Sequence, residues 1–263
     1  MRNLPSLLWN SPLLDLKPRL QDCVDKALGK TGLSLPVQFF FRADDIGAPG
    51  ERFFNLLSLF LDYKTPLCLA VVPSWLSQQR WDIFQKTDQK AQGLYCWHQH
   101  GWRHISHEIQ GKKQEFGPIR TIDAIRQDIL RGREKLEYLM KDRFTPVFTP
   151  PWNRCDSRTL TVLKNNKFKA VSRHHRSMPK SPKGLPDLSV NVDLHTRQET
   201  TPEAGWQALW KELSVGIHSG TCGIMIHHQR MNETAFEFLK VFLDVITQNS
   251  NILPIHFKDM LRA

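Results

Sequence analysis

The chain has 263 residues, 40% of them hydrophobic and 24% charged, with a formal net charge of +10. That size suits one large α/β domain or two small ones, with enough apolar material for a core. No apolar run approaches the roughly 20 residues of a membrane-spanning helix. The five cysteines are scattered and lack a CxxC pair, which argues against a disulfide framework or a thiolate zinc site.

The positive balance favours anionic partners such as a phosphorylated sugar. Nucleic acid has only net charge behind it, because the basic residues are spread along the chain. The densest patch is Arg173, His174, His175 and Arg176 with Lys180 and Lys183. It reads first as a solvated loop and second as an anion-binding patch bordering a pocket. The N-terminal apolar pieces are broken by Pro5, Pro12, Asp15 and Pro18, unlike a signal peptide, so the expected location is the cytoplasm.

In chain order, residues 1–36 read as an extension with one helix, Lys17 to Leu28. Residues 37–263 read as one domain of alternating strands and helices. Strands are expected at Val37 to Ala43, Pro66 to Val72, Leu94 to Trp97, Thr145 to Thr149, Lys169 to Ser172, Leu188 to Leu194, Gly223 to His227 and Asn251 to His256. Helices are expected at Glu51 to Tyr63, Gln79 to Lys90, Thr121 (as N-cap) to Lys141, Ser157 to Asn166, Pro202 to Val215 and Glu233 to Ile246. Seven or eight strands in this alternation predict an α/β fold, a distorted (β/α) barrel of about seven strands.

Four clusters carry chemistry. The aromatic strand Phe39-Phe40-Phe41 runs into Asp44, Asp45 and Gly47. One Asp there reads as a helix cap; two adjacent carboxylates repel each other unless a cation lies between them. Downstream, His98, His100, His104 and His107 crowd together after a strand. His100 and His104 are four apart, which on one helical turn puts both imidazoles on one side, as chelation requires. Two histidines and a carboxylate are a common catalytic metal set. Third comes Thr149-Pro150-Pro151-Trp152-Asn153-Arg154, a rigid turn able to hold an aromatic wall against a substrate. Last, Ile224-Met225-Ile226-His227-His228 is a strand ending in titratable groups placed for acid–base work.

In this order, over about residues 37–228, the clusters resemble the NodB-homology polysaccharide deacetylase family. The resemblance implies a distorted (β/α) barrel and a metal-dependent deacetylase. It implies that Asp44 is the catalytic base, that Asp45, His100 and His104 bind one divalent ion, usually zinc, and that His227 is the general acid. Pro150, Trp152 and Arg154 then border the substrate, with the Trp152 N–H near the oxyanion, and Asp193 orients His227. The chain departs from the family where Ile46 delays the glycine and where Thr149 replaces an arginine, for which Arg154 or Arg42 is a substitute. His228 is an alternative to His227. The implied activity is removal of an N-linked acetyl group from a cytoplasmic amino sugar or glycan precursor. The rivals are an amidase acting on a non-sugar substrate and an inactive barrel used for binding.

Overall fold

The computed structural model describes residues 4–30, 32 and 36–262. Their contacts divide the chain into two compact units. Eight helices alternate with eight strands among the described residues.

The first unit gathers residues 1–43, 50–67 and 191–256. It holds α1 (Leu16–Leu28), most of β1 (Val37–Ile46) and α2 (Glu51–Asp62). Further on it holds β6 (Val192–Asp193), α6 (Pro202–His218), β7 (Thr221–Ile226), α7 (Glu233–Thr247) and β8 (Ile252–Pro254). β1 pairs in parallel with β7 and, at its start, with β8; β7 pairs in parallel with β6. Phe39, Phe40 and Phe41 are all fully buried, so both faces of β1 are covered and a continuous aromatic run replaces alternation. The Phe41 ring packs 5.1 Å from that of Phe60 and 5.8 Å from that of Phe242. α1 packs on α6 and α7. Trp9 is buried here too, its indole N–H donating to the Leu194 carbonyl at 2.8 Å.

The second unit comprises residues 44–49, 68–190 and 257–263. It holds most of β2 (Leu67–Val71), then α3 (Gln78–Lys90), β3 (Tyr95–His100) and α4 (Ile122–Met140). β4 (Phe144–Thr149), α5 (Ser157–Asn165), β5 (Ala170–Val171) and the short α8 (Phe257–Met260) complete it. Its strands neighbour one another in the order β2-β3-β4-β5, and β3, β4 and β5 are parallel. α4 starts where the sequence signals a cap: the Thr121 side chain accepts from the Ala124 N–H. Its buried Ile125, Ile129 and Leu136 recur at helical spacing.

Several strand bounds change, β3 among them, which runs three residues past Trp97 to His100. β1 runs three residues further than Ala43, so both aspartates lie inside the strand's last turn of pleat. The strand expected over Leu188 to Leu194 shrinks to Val192–Asp193. Residues before it pair elsewhere: the Leu188 N–H donates to the Val171 carbonyl and the Val190 N–H to the Arg173 carbonyl, both at 2.8 Å.

Candidate metal centre

The C-terminal ends of parallel strands are where α/β proteins place their chemistry. In the second unit those ends carry Asp44 and Asp45 (β1), His100 (β3) and Thr149 (β4). Strand alternation alone would send the two aspartates to opposite faces. Asp45, however, has a left-handed backbone with φ of 61°, which breaks the alternation. Both carboxylates then act on the His100 ring. A non-glycine residue held in that region is strained, and such strain collects at functional sites.

His100 and His104 do come together, by a different route from the helical turn expected. His100 ends β3, and the residues after it form no helix. Two left-handed residues, Gly101 (φ 57°) and His104 (φ 59°), bend the chain back instead. Glu115 holds the bend. Fully buried, it accepts the backbone N–H groups of Trp102, Arg103 and His104 at 3.2, 2.6 and 3.2 Å. Burial pushes its carboxyl upward in pKa, and the three amides only partly offset that. Gly101 must be glycine: a Cβ there would lie 2.2 Å from Glu115 Oε2 and 2.6 Å from Pro151 Cγ. Glu115 carries no signal in the sequence, where it is one acid in a loop with Lys112 and Lys113.

Asp45 Oδ1 lies 3.2 Å from His100 Nε2 and 3.1 Å from His104 Nε2. One ligand atom from each of the three residues lies within 4.8 Å of the others. The His100 tautomer is forced. Its Nδ1 sits 2.9 Å from the Thr149 carbonyl, which only accepts, so Nδ1 carries the hydrogen. Nε2 then faces the Asp45 oxygen with a lone pair. Two acceptors at that distance need a proton or a cation with them. Burial pulls the His100 pKa down, but the Asp45 hydrogen bond, the charges of Asp44 and Asp45 and the Thr149 carbonyl outweigh it, and the net shift is upward. The same arrangement suits a divalent ion, with the backbone carbonyl fixing the ring as an outer partner of a metal-bound histidine does.

Aromatic rings flank His104. The Trp152 ring is 4.4 Å away and the Trp75 ring 5.8 Å. Trp152 follows buried Pro150 and Pro151 and is itself left-handed, with φ of 56°. Trp75 packs on the late glycine: a Cβ on Gly47 would lie 2.6 Å from Trp75 Cβ. Thr149, where the resemblance implies an arginine, has its hydroxyl hydrogen-bonded with His98 Nε2 at 3.0 Å. Arg154 holds the Lys113 carbonyl at 3.4 Å, and Arg42 is fully buried with Nη2 3.2 Å from Met225 Sδ.

The late histidines belong to the first unit. His228 is buried, its ring 5.4 Å from Phe53 on α2, while half-buried His227 follows the end of β7. The His227 N–H donates to His195 Nδ1 at 3.1 Å. Asp193 has a task the sequence did not suggest. It accepts the N–H groups of His195 at 2.9 Å and Thr196 at 2.8 Å, and the Thr196 hydroxyl as well. Its carboxylate thus caps the turn that presents His195 to His227. His195, like Glu115 and Trp75, has no sequence signal of its place in the site.

No family model matches the sequence, and no curated protein matches it. Solved structures do. A protein described as a polysaccharide deacetylase from Mycobacterium smegmatis matches with a TM-score of 0.65 at 14% identity, over 88% of this chain and 91% of that one. The Puue allantoinase matches with a TM-score of 0.63 at 13% identity, over 87% and 90%. A CE4 family pseudoenzyme from Bacillus anthracis matches with a TM-score of 0.52 at 9% identity, over 86% and 65%. The chain therefore has the fold of these proteins, the distorted (β/α) barrel.

Proposed function

We propose that the chain is a divergent, metal-dependent member of the polysaccharide deacetylase group that removes an N-linked acetyl group from an amino sugar or glycan precursor. One observation carries the reading: two imidazole Nε2 atoms converge on a single Asp45 oxygen. Asp45, His100 and His104 would hold a divalent ion, and two nitrogens with one carboxylate suit zinc. When bound, such an ion polarises the amide oxygen and makes a coordinated water more acidic. Asp44, 2% exposed, takes the water's proton. His227 protonates the leaving amine. Trp152, following Pro150 in its rigid turn, walls the substrate beside His104, with Arg154 at the rim. The five free cysteines accord with a cytoplasmic setting.

A second reading, a C–N hydrolase acting on a non-sugar substrate, is favoured by the allantoinase among the fold relatives. The test is metal content of the purified chain, followed by acetate release from N-acetylated amino sugars. Stoichiometric metal with acetate release supports the first reading. Metal with release of ammonia or of a non-sugar amine supports the second. A chain that binds no divalent ion at micromolar concentration refutes both.

A further inference from the structure

The second unit contains a cavity of about 460 Å³ walled by residues 173–189, a volume in the range of small-molecule sites. Its charge is one-sided. Arg176, Lys180 and Lys183 line it and are exposed. None of the three is in an ion pair among the described residues. The single carboxylate in the wall, Asp187, is already neutralised: its Oδ2 accepts from Arg173 Nε at 2.8 Å and Nη2 at 2.6 Å.

Arg173 is therefore not one of the surface cations that the sequence suggested. It is 1% exposed, and it also donates to the Pro179 carbonyl at 2.9 Å and Ser181 Oγ at 3.2 Å. It ties both ends of the loop to one anchor, and the other three cations line the cavity with no acid but Asp187 among its lining residues. Ser177 and Ser181 add hydroxyls to the wall. Arg176 is held there with a left-handed backbone, φ 61°. A forked guanidinium, two ammonium groups and hydroxyl donors are the chemistry that recognises a phosphate group.

The position fits a substrate subsite. The loop leaves the C-terminal end of β5, which is parallel to β4 and β3, so it opens at the same edge of the strands as Thr149 and His100. We propose that this cavity binds the phosphate of a small phosphorylated ligand. Resting on the deacylase reading above, we further propose that the ligand is an N-acetylated amino sugar phosphate.

The experiment is calorimetric titration of the full chain with N-acetylglucosamine 6-phosphate and with N-acetylglucosamine. The phosphorylated sugar should bind roughly tenfold more tightly or better. The triple variant Arg176→Ala, Lys180→Ala, Lys183→Ala should abolish the difference. A control losing the same charge elsewhere, Lys86→Ala, Lys90→Ala, Lys240→Ala, should keep it. Equal binding of the two sugars by the wild type overturns the proposal, as does a preference that survives the triple variant or vanishes in the control. Because the cavity does not use the metal ligands, Asp45→Asn should still prefer the phosphorylated sugar. Phosphate-selective binding lost in the triple variant, with no acetate released by the wild type, would uphold the cavity and refute the deacylase reading of its ligand.

Discussion

Two buried histidines, His100 and His195, meet opposite electrostatic fates. His100 ends β3 and His195 lies two residues past β6, and each has a ring nitrogen engaged by the backbone. For both, burial is the largest influence and disfavours the charged ring. His100 faces Asp44 and Asp45 and ends raised; His195 faces His227, His228 and Arg230 and ends well below 6.5. The backbone partner also differs in kind. A carbonyl fixes the hydrogen on His100 Nδ1 and leaves the Nε2 lone pair toward Asp45; an N–H makes His195 Nδ1 an acceptor and holds that ring neutral. One corner is built to gather positive charge and the other to exclude it.

Breaking the first corner should give the largest effects. Asp44→Asn should keep metal and fold but lose about 10²- to 10⁴-fold in turnover, the usual worth of a general base. Asp45→Asn should lose the metal itself, since a neutral amide attracts a cation far less. Metal stoichiometry and hydrolysis rate, measured on both variants side by side, separate the roles. Ion loss in Asp44→Asn with retention in Asp45→Asn would exchange the two assignments.

The support behind that corner comes next. Glu115→Ala would leave three amide N–H groups without their buried acceptor, at a cost of roughly 3 kcal/mol or more. Gly101→Ala should act on the same contact from the other side, because its methyl would meet Glu115 and Pro151. Both variants should unfold at lower urea and bind metal more weakly. If either unfolds normally yet has lost metal, Glu115 orders only the His104 turn. If both stability and metal affinity are unchanged, the loop is held by other contacts.

This contrast also explains what was legible in the sequence. Asp44, Asp45, His100 and His104 stand out in the sequence because adjacent carboxylates and clustered histidines are uncommon there, and the aromatic run of β1 stands out because a strand covered on both faces favours apolar side chains. The joining geometry was hidden. A four-residue spacing reads as a helical turn, whereas the chain makes a strand end and a left-handed bend whose determinant, Glu115, lies 11 residues beyond His104. The burial of Arg173 is hidden for a similar reason: its partner Asp187 is 14 residues away, and local charge density cannot reveal that pairing. Leu188 to Leu194 reads as one strand, but Asp187 bridges to Val171 at the end of β5 and Val190 to His174 beyond it.

The smallest effect should come from the second corner, and it depends on pH. His195 is fully buried, its Nδ1 accepts the His227 N–H, and its ring packs 5.9 Å from that of Trp9. Protonating Nδ1 would set two donors face to face beside His227, His228 and Arg230. The folded pKa therefore lies well below the ordinary value of 6.5. For a base lowered in this way, the unfolded chain binds more protons as pH falls. Its contribution to stability is complete above 6.5 and is lost progressively below it, by up to roughly 1.4 kcal/mol per pH unit. His195→Asn keeps an acceptor near the Nδ1 position and removes the titration. Urea unfolding of both proteins from pH 7.5 to pH 5 should show similar stability at the upper end. Wild type should then fall away more steeply, with a gap of about 1 kcal/mol opening one unit below 6.5. Parallel curves would mean that His195 is protonated in the fold and that the His227 N–H does not donate to its Nδ1.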